Sequence, residues 1–197
     1  MRLFIAIELP PSVLRELLAI RERLEPRCPG WCFVRAEGVH LTLRFLGEVE
    51  EERDSAARGA WRAAAAGSGP IRLRIGGLGV FPGAAHPRVL WVGAAELPEG
   101  SARLEALARA METAARGLGF PPETRPFRPH LTLARAGNRG RPAVPPLDPA
   151  GPSIEFLAGE AALIRSELLP SGARYSRLEG FPLGGGLLQR GCSGGCE

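Results

Sequence analysis

Two of the three histidines in this 197-residue chain are each followed, two positions on, by a threonine, in His40-Leu41-Thr42-Leu43 and His130-Leu131-Thr132-Leu133. In an extended strand, side chains alternate between faces, so each copy presents an imidazole and a hydroxyl about 7 Å apart on one side. The leucines then anchor the other side in a core. Hydrolysis of a phosphodiester needs a base for the attacking water, an acid for the departing oxygen and donors for the non-bridging oxygens. His40 and His130 can be the acid and base, because the ordinary imidazole pKa of about 6.5 lets either protonation state exist near neutrality. Thr42 and Thr132 can donate to the phosphate oxygens. This inventory calls for no metal.

Rival chemistries fit less well. A hydrolytic metal site usually takes three or more protein ligands, and neither motif has a carboxylate or cysteine nearby on the same face. No Gly-x-Ser-x-Gly elbow marks a serine hydrolase. A lone strand histidine is usually a packing or surface residue, but repetition with threonine at the same offset argues against that here. A non-catalytic RNA-binding module would not need both an acid and a base.

Several arginines flank the motifs. Arg128 shares strand parity with His130 and can contact phosphate. Arg135 has the opposite parity and needs a bend or bulge to reach the same face. Arg44 has the parity of His40 but lies about 13 Å further along the strand, where it is placed to meet an RNA backbone. Phe45 and Trp31 are candidates for base stacking or for the core. The third histidine, His86, sits in a Gly/Pro loop and is expected to be exposed.

The elements that must position the motifs read as follows. Arg2 to Leu9 is a buried strand, and Pro10-Pro11-Ser12 opens a helix with Val13, Leu14, Leu17, Leu18 and Leu24 at helical spacing. Trp31 to Val34 is a short strand, and Val39 to Leu46 carries the first motif. A helix from about Glu50 to Ala66 stops at Gly67-Ser68-Gly69-Pro70. Strands Ile71 to Phe81 and Val89 to Ala94 follow, then a long helix from Leu97 to Leu118. A proline-rich stretch, Pro121 to Pro129, delivers the second motif strand, His130 to Arg135. Asn138 to Pro152 reads as a surface loop and candidate flap, and Ile154 to Leu157, Ala162 to Leu168 and Arg174 to Leu178 are the last strands. This predicts an α+β bilobal fold: two antiparallel sheets from a duplicated βαββ-type unit, with helices on the outer faces. The motif strands would meet in a cleft on a pseudo-twofold axis. Residues 1–183 form one domain, and 184–197 a flexible glycine- and cysteine-containing tail.

The chain is 45% hydrophobic and 23% charged, a composition suited to a buried core. No apolar run approaches the roughly 20 residues needed to span a bilayer, and the amino terminus shows no signal-peptide pattern, so a cytoplasmic protein with no membrane partner is expected. The net charge of +4 is the excess of 25 basic residues, all arginine, over 21 acidic ones, and is compatible with a polyanionic ligand. Cys28 with Cys32 and Cys192 with Cys196 share one spacing, within the range of zinc ligands, but no histidine or further motif supports a metal site. Free thiols are the expectation.

In these residues the chain resembles the 2H phosphoesterases, and within them the RNA 2′,3′-cyclic phosphodiesterases of bacteria and archaea, historically called 2′-5′ RNA ligases. Met1-Arg2-Leu3-Phe4-Ile5-Ala6-Ile7 is similar to the opening strand of that family. Val39 to Gly47 is similar to its first motif, Arg88-Val89-Leu90-Trp91 to its middle strand and Phe127 to Arg135 to its second motif. Ser166-Glu167-Leu168 through Gly172-Ala173-Arg174-Tyr175 is similar to its closing strands. The resemblance implies no cofactor and metal-independent hydrolysis of a terminal RNA 2′,3′-cyclic phosphate to a 2′-phosphomonoester. His40 would be the proton donor to O3′ and His130 the proton acceptor that activates water. Thr42, Thr132, Arg128 and Arg135 would bind substrate. The expected partner is RNA with a cyclic phosphate end, tRNA fragments among them, and the expected state a monomer. Reverse 2′-5′ joining is a secondary expectation. The alternative is a 2H relative acting on another cyclic nucleotide or RNA 3′ end.

Overall fold

A computed structural model describes residues 1–99, 101–137, 142–144, 153–169 and 172–184, with only the backbone for 51–55. The strands are β1 (Arg2–Glu8), β2 (Trp31–Phe33), β3 (His40–Glu48), β4 (Ile71–Phe81), β5 (Val89–Leu97), β6 (His130–Ala136), β7 (Ile154–Ala158), β8 (Glu160–Leu169) and β9 (Gly172–Pro182). The helices are α1 (Pro11–Leu24), α2 (Glu51–Ala66) and α3 (Arg103–Gly117). The α+β class and the antiparallel pairing agree with expectation.

β1 shows how the sequence builds two faces. Leu3, Ile5 and Ile7 enter the main core, whereas the alternate residues Phe4 and Ala6 join a separate small cluster with Ala162 and Ile164. Helices cover only the first face. α2 turns Ala57, Trp61 and Ala65 inward at i, i+4 and i+8, and α3 does the same with Leu104, Leu107, Ala108, Met111 and Ala115. Among the described residues no helix covers the opposite face.

All the strands lie in one nine-stranded sheet, ordered β7-β4-β5-β6-β3-β1-β8-β9, with β2 paired to β6. This differs from the two separate sheets expected. β3 and β6 meet at the single register pair Leu41↔Leu131. Further along β6, its free side is taken by β2, through Phe33↔Ala134, Cys32↔Arg135 and Trp31↔Ala136. The two motif strands therefore touch at their starts and then splay, so the halves of the sheet share one seam.

The expected helix from Leu97 begins at Arg103 instead. β4 holds β5 in register up to Arg72↔Leu97, and the ladder outcompetes helical spacing over those residues. The last three strands run longer than their apolar cores suggested, because β8 and β9 pair along their whole length. Residues 138–141, 145–152 and 185–197 lie outside the described residues, and with them most of the candidate flap and tail and the Cys192/Cys196 pair. Cys28 is buried, Cys32 is exposed, and both are free thiols. Among the described residues no helix is long and apolar enough to cross a membrane.

Candidate active site

The seam pair decides what faces the open side. Leu41 and Leu131 are buried on the helix side. By the alternation of an antiparallel ladder, the residues flanking each of them, His40 and Thr42 on β3 and His130 and Thr132 on β6, project from the other face. Neighbouring strands agree: Glu8↔His40 and Ala6↔Thr42 on one flank, Gly93↔His130 and Trp91↔Thr132 on the other. The structure thus brings the four motif residues together at one place.

Each motif strand then carries a bulge at the same position. Ala6 pairs with Thr42 but Ile5 with Arg44, and Trp91 pairs with Thr132 but Leu90 with Ala134. Leu43 and Leu133 are the extra residues, and past them the parity inverts. Arg135 thereby gains the face of His130, which a phosphate contact there would require. Arg44 loses the face of His40: it is 7% exposed on the helix side, paired with Glu112, and is no RNA contact. Phe45 takes the position on β3 that Arg135 takes on β6 and lies 5.5 Å from the ring of Phe4. Trp31 is a core residue whose indole N–H donates to the Ala143 carbonyl at 2.7 Å. His86 is exposed, as expected.

His40 is half-buried and stacked on Phe4, with centroids 4.6 Å apart, and Tyr175 meets it edge-on at 5.3 Å. Its Nδ1 is buried without a hydrogen bond of full geometry. Burial lowers its pKa to about 4; the nearby Glu37 carbonyl favours the charged form, and Arg135 and His130 oppose it. His130 has a firmer anchor. Its Nδ1 lies 2.6 Å from the Arg128 carbonyl, so that nitrogen carries the proton and donates, and Nε2 keeps a lone pair. Phe81 packs edge-on against the ring at 4.9 Å and Trp91 at 6.3 Å. Burial lowers this pKa too, offset by the Arg128 carbonyl and reinforced by Arg135. Both shifts favour the neutral imidazole in the free protein.

Thr42 and Thr132 are half-buried beside the histidines. Arg128 and Arg135 are exposed; among the described residues neither pairs with a carboxylate, and Arg128 stands 6.0 Å from the centre of the Phe81 ring. Both cations are thus available to an anion. Among the described residues no three metal-ligating side chains converge. Sequence reasoning missed the aromatic supports Phe4, Tyr175, Phe81 and Trp91. Strand parity could have found Phe4, which alternates with Leu3 and Ile5, but Tyr175 and Phe81 come from strands whose neighbours only the topology reveals.

The family model of the 2′-5′ RNA ligase superfamily matches residues 9–168. The chain belongs to that superfamily. An RNA 2′,3′-cyclic phosphodiesterase of Thermus thermophilus is 39% identical over 94% of this chain and 91% of its own. A protein of the same name from Methanothermobacter thermautotrophicus is 33% identical over 92% and 98%. Among solved structures, TT0787 of Thermus thermophilus superposes with a TM-score of 0.79 at 34% identity, covering 93% of this chain and 98% of that one. E. coli LigT in complex with 3′-AMP gives 0.73 at 28% identity, covering 92% and 97%. Superfamily membership extends over both motif strands and the seam between them.

Proposed function

We propose that this protein is a metal-independent RNA 2′,3′-cyclic phosphodiesterase that opens a terminal cyclic phosphate to a 2′-phosphomonoester. The observation that carries this is the meeting of His40, Thr42, His130 and Thr132 on one open face across the Leu41↔Leu131 seam. The names borne by the relatives support the same substrate class.

His130 suits the proton acceptor. Its Nδ1–H is committed to a carbonyl, which leaves Nε2 to take a proton from water. His40 then protonates the departing O3′. Because burial leaves it neutral in the free protein, it must gain its proton as the substrate anion arrives, when the negative charge offsets desolvation. Thr42 and Thr132 donate to the equatorial oxygens, and Arg135 and Arg128 neutralise charge that develops there. If a 5′-hydroxyl replaces water, the same base and acid open the ring and form a 2′-5′ linkage, and the histidine roles exchange when that linkage is cleaved back to the cyclic phosphate. Residues 1–183 act as a single domain with a pseudo-twofold cleft, as a cytoplasmic monomer on RNA ends such as tRNA fragments.

An RNA ending in 2′,3′-cyclic phosphate, incubated with the protein in EDTA and followed by phosphorus NMR, tests this. A 2′-phosphomonoester is expected. A 3′-phosphate reverses the leaving group, loss of activity with chelator removes the metal-free mechanism, and no turnover refutes the substrate class.

A further inference from the structure

The two histidines are held by different means. His130 is anchored within its own segment, its Nδ1 2.6 Å from the Arg128 carbonyl, with the restricted backbone of Pro129 between them. His40 is held from outside. Its Nδ1 is buried without a hydrogen bond of full geometry. Phe4 stacks on the ring, and Tyr175 packs edge-on against both, 5.3 Å from His40 and 5.9 Å from Phe4. Tyr175 is the only tyrosine of the chain, and it comes from β9, three places from β3 in the order of the sheet. Three strand spacings in a flat sheet amount to about 14 Å. The contact therefore exists because the sheet curls towards the motif face.

Two local features put the tyrosine ring there. β9 carries a bulge, since Leu163 pairs with Glu179 but Ile164 with Arg177. Leu178 is the extra residue, so Glu179 and Phe181 serve the helix side, Glu179 pairing with Arg58 and Arg62 of α2, while Tyr175 joins the Phe4 cluster on the motif face. The second feature is Gly38, the buried last residue of the short 3-10 turn Ala36–Gly38 that leads into β3. A Cβ on Gly38 would stand 3.3 Å from Cε2 of Tyr175 and 3.3 Å from Cβ of Val34. With no side chain at this position, the ring rests directly on the backbone of the turn. The same turn supplies the Glu37 carbonyl, which stands beside the His40 imidazole and favours its protonated form. Tyr175 thus touches both His40 and the segment that offers it an acceptor.

We propose that Tyr175 is a positioning residue for His40: resting on Gly38, its ring seats the turn so that the Glu37 carbonyl accepts from Nδ1–H and Nε2 faces the seam. The proposal rests on the hydrolytic reading above for what Nε2 does there. Tyr175 itself touches no reacting atom. It fixes which nitrogen carries the permanent proton, the task that the Arg128 carbonyl performs alone for His130. With Nδ1 committed, the proton that His40 gains and gives away is always on Nε2, aimed at the departing oxygen.

The test reads the tautomer of His40 directly, by two-bond proton–nitrogen NMR of the full chain at neutral pH, beside kcat and KM on adenosine 2′,3′-cyclic phosphate. The parent should show His40 as the Nδ1–H form. Tyr175→Leu should give a mixture of both forms and lower kcat about tenfold or more with little change in KM, and Tyr175→Phe, which keeps the ring, should restore both readouts. Gly38→Ala, whose methyl meets the ring, should act in the same direction, and by less when Tyr175→Leu is already present. An unmoved tautomer and kcat in Tyr175→Leu overturn the proposal, as does an Nε2–H form in the parent; losses that simply add in the double variant overturn the route through Gly38. Should Tyr175→Leu fail to fold, Gly38→Ala alone decides by the same two readouts. If the parent turns over no cyclic phosphate, the hydrolytic reading falls, and the tautomer still decides whether Tyr175 orients His40.

Discussion

Arg44 of β3 places its Nε 2.5 Å from a carboxylate oxygen of Glu112 on α3, beneath the strand that carries His40 and Thr42. The contact is ionic, since neither atom has a hydrogen bond of full geometry. The rest of the guanidinium donates to the carbonyls of Phe45 and Pro121, and Glu112 accepts from the backbone N–H of Glu123 at 3.2 Å. One buried cation thus joins the first motif strand, the long helix and the proline-rich segment that runs to His130.

Removing that cation should cost stability far more than a surface charge would. Arg44→Ala leaves Glu112 partly buried without its partner and two carbonyls without donors, a loss of about 3–5 kcal/mol. Arg44→Met keeps much of the packing and should cost less. Urea unfolding of the three proteins checks this, and a loss below about 1 kcal/mol in Arg44→Ala would show that the pair contributes little.

Chemistry at the seam should depend steeply on both histidines. His40→Ala and His130→Ala are each expected to lower kcat by at least about 10²-fold on an RNA cyclic phosphate. Thr42→Val and Thr132→Val, which keep shape and lose the donor, should lower it with a smaller change in KM. The parent should show a bell-shaped pH profile. Parental activity in His130→Ala would refute its role as proton acceptor.

The common face of the motif residues was legible because it is carried by residue type at a spacing of two, which strand alternation converts directly into a shared side. Alternation also has a limit, which these strands display. Arg44 lies four residues past His40 and Arg135 five past His130, and simple parity put both on the wrong face because the bulges at Leu43 and Leu133 leave no mark in an apolar run. The single sheet was hidden for another reason. Its joining contact is one residue pair between strands ninety positions apart, and no local pattern encodes so small a non-local contact.

Arg135 links the two histidines electrically, since its charge disfavours the protonated form of both. Arg135→Ala should therefore raise both imidazole pKa values in the free protein while weakening phosphate binding. Histidine titration by NMR, with inorganic phosphate added in a second series, reads both effects. Phosphate should raise the pKa of His40 in the parent, and by less in the variant. Unmoved histidine resonances in Arg135→Ala would place its charge too far away to act on the site.

Depressed histidine pKa values also carry a stability cost at low pH. The unfolded chain binds a proton at His40 near pH 6.5, whereas the folded protein resists protonation until about pH 4. Between those values the unfolded state holds more protons, so stability rises with pH through this window and is lost as pH falls. His40 alone accounts for about 3 kcal/mol across it, and His130 adds a contribution of the same sign. His40→Gln removes the titrating group and should flatten the profile between pH 4 and 6.5 while leaving the contributions of carboxylates at lower pH. Urea unfolding of parent and variant at pH 4.5 and pH 7 measures the difference. An equal loss of stability in both proteins would mean that His40 is protonated in the folded state as readily as in the unfolded chain.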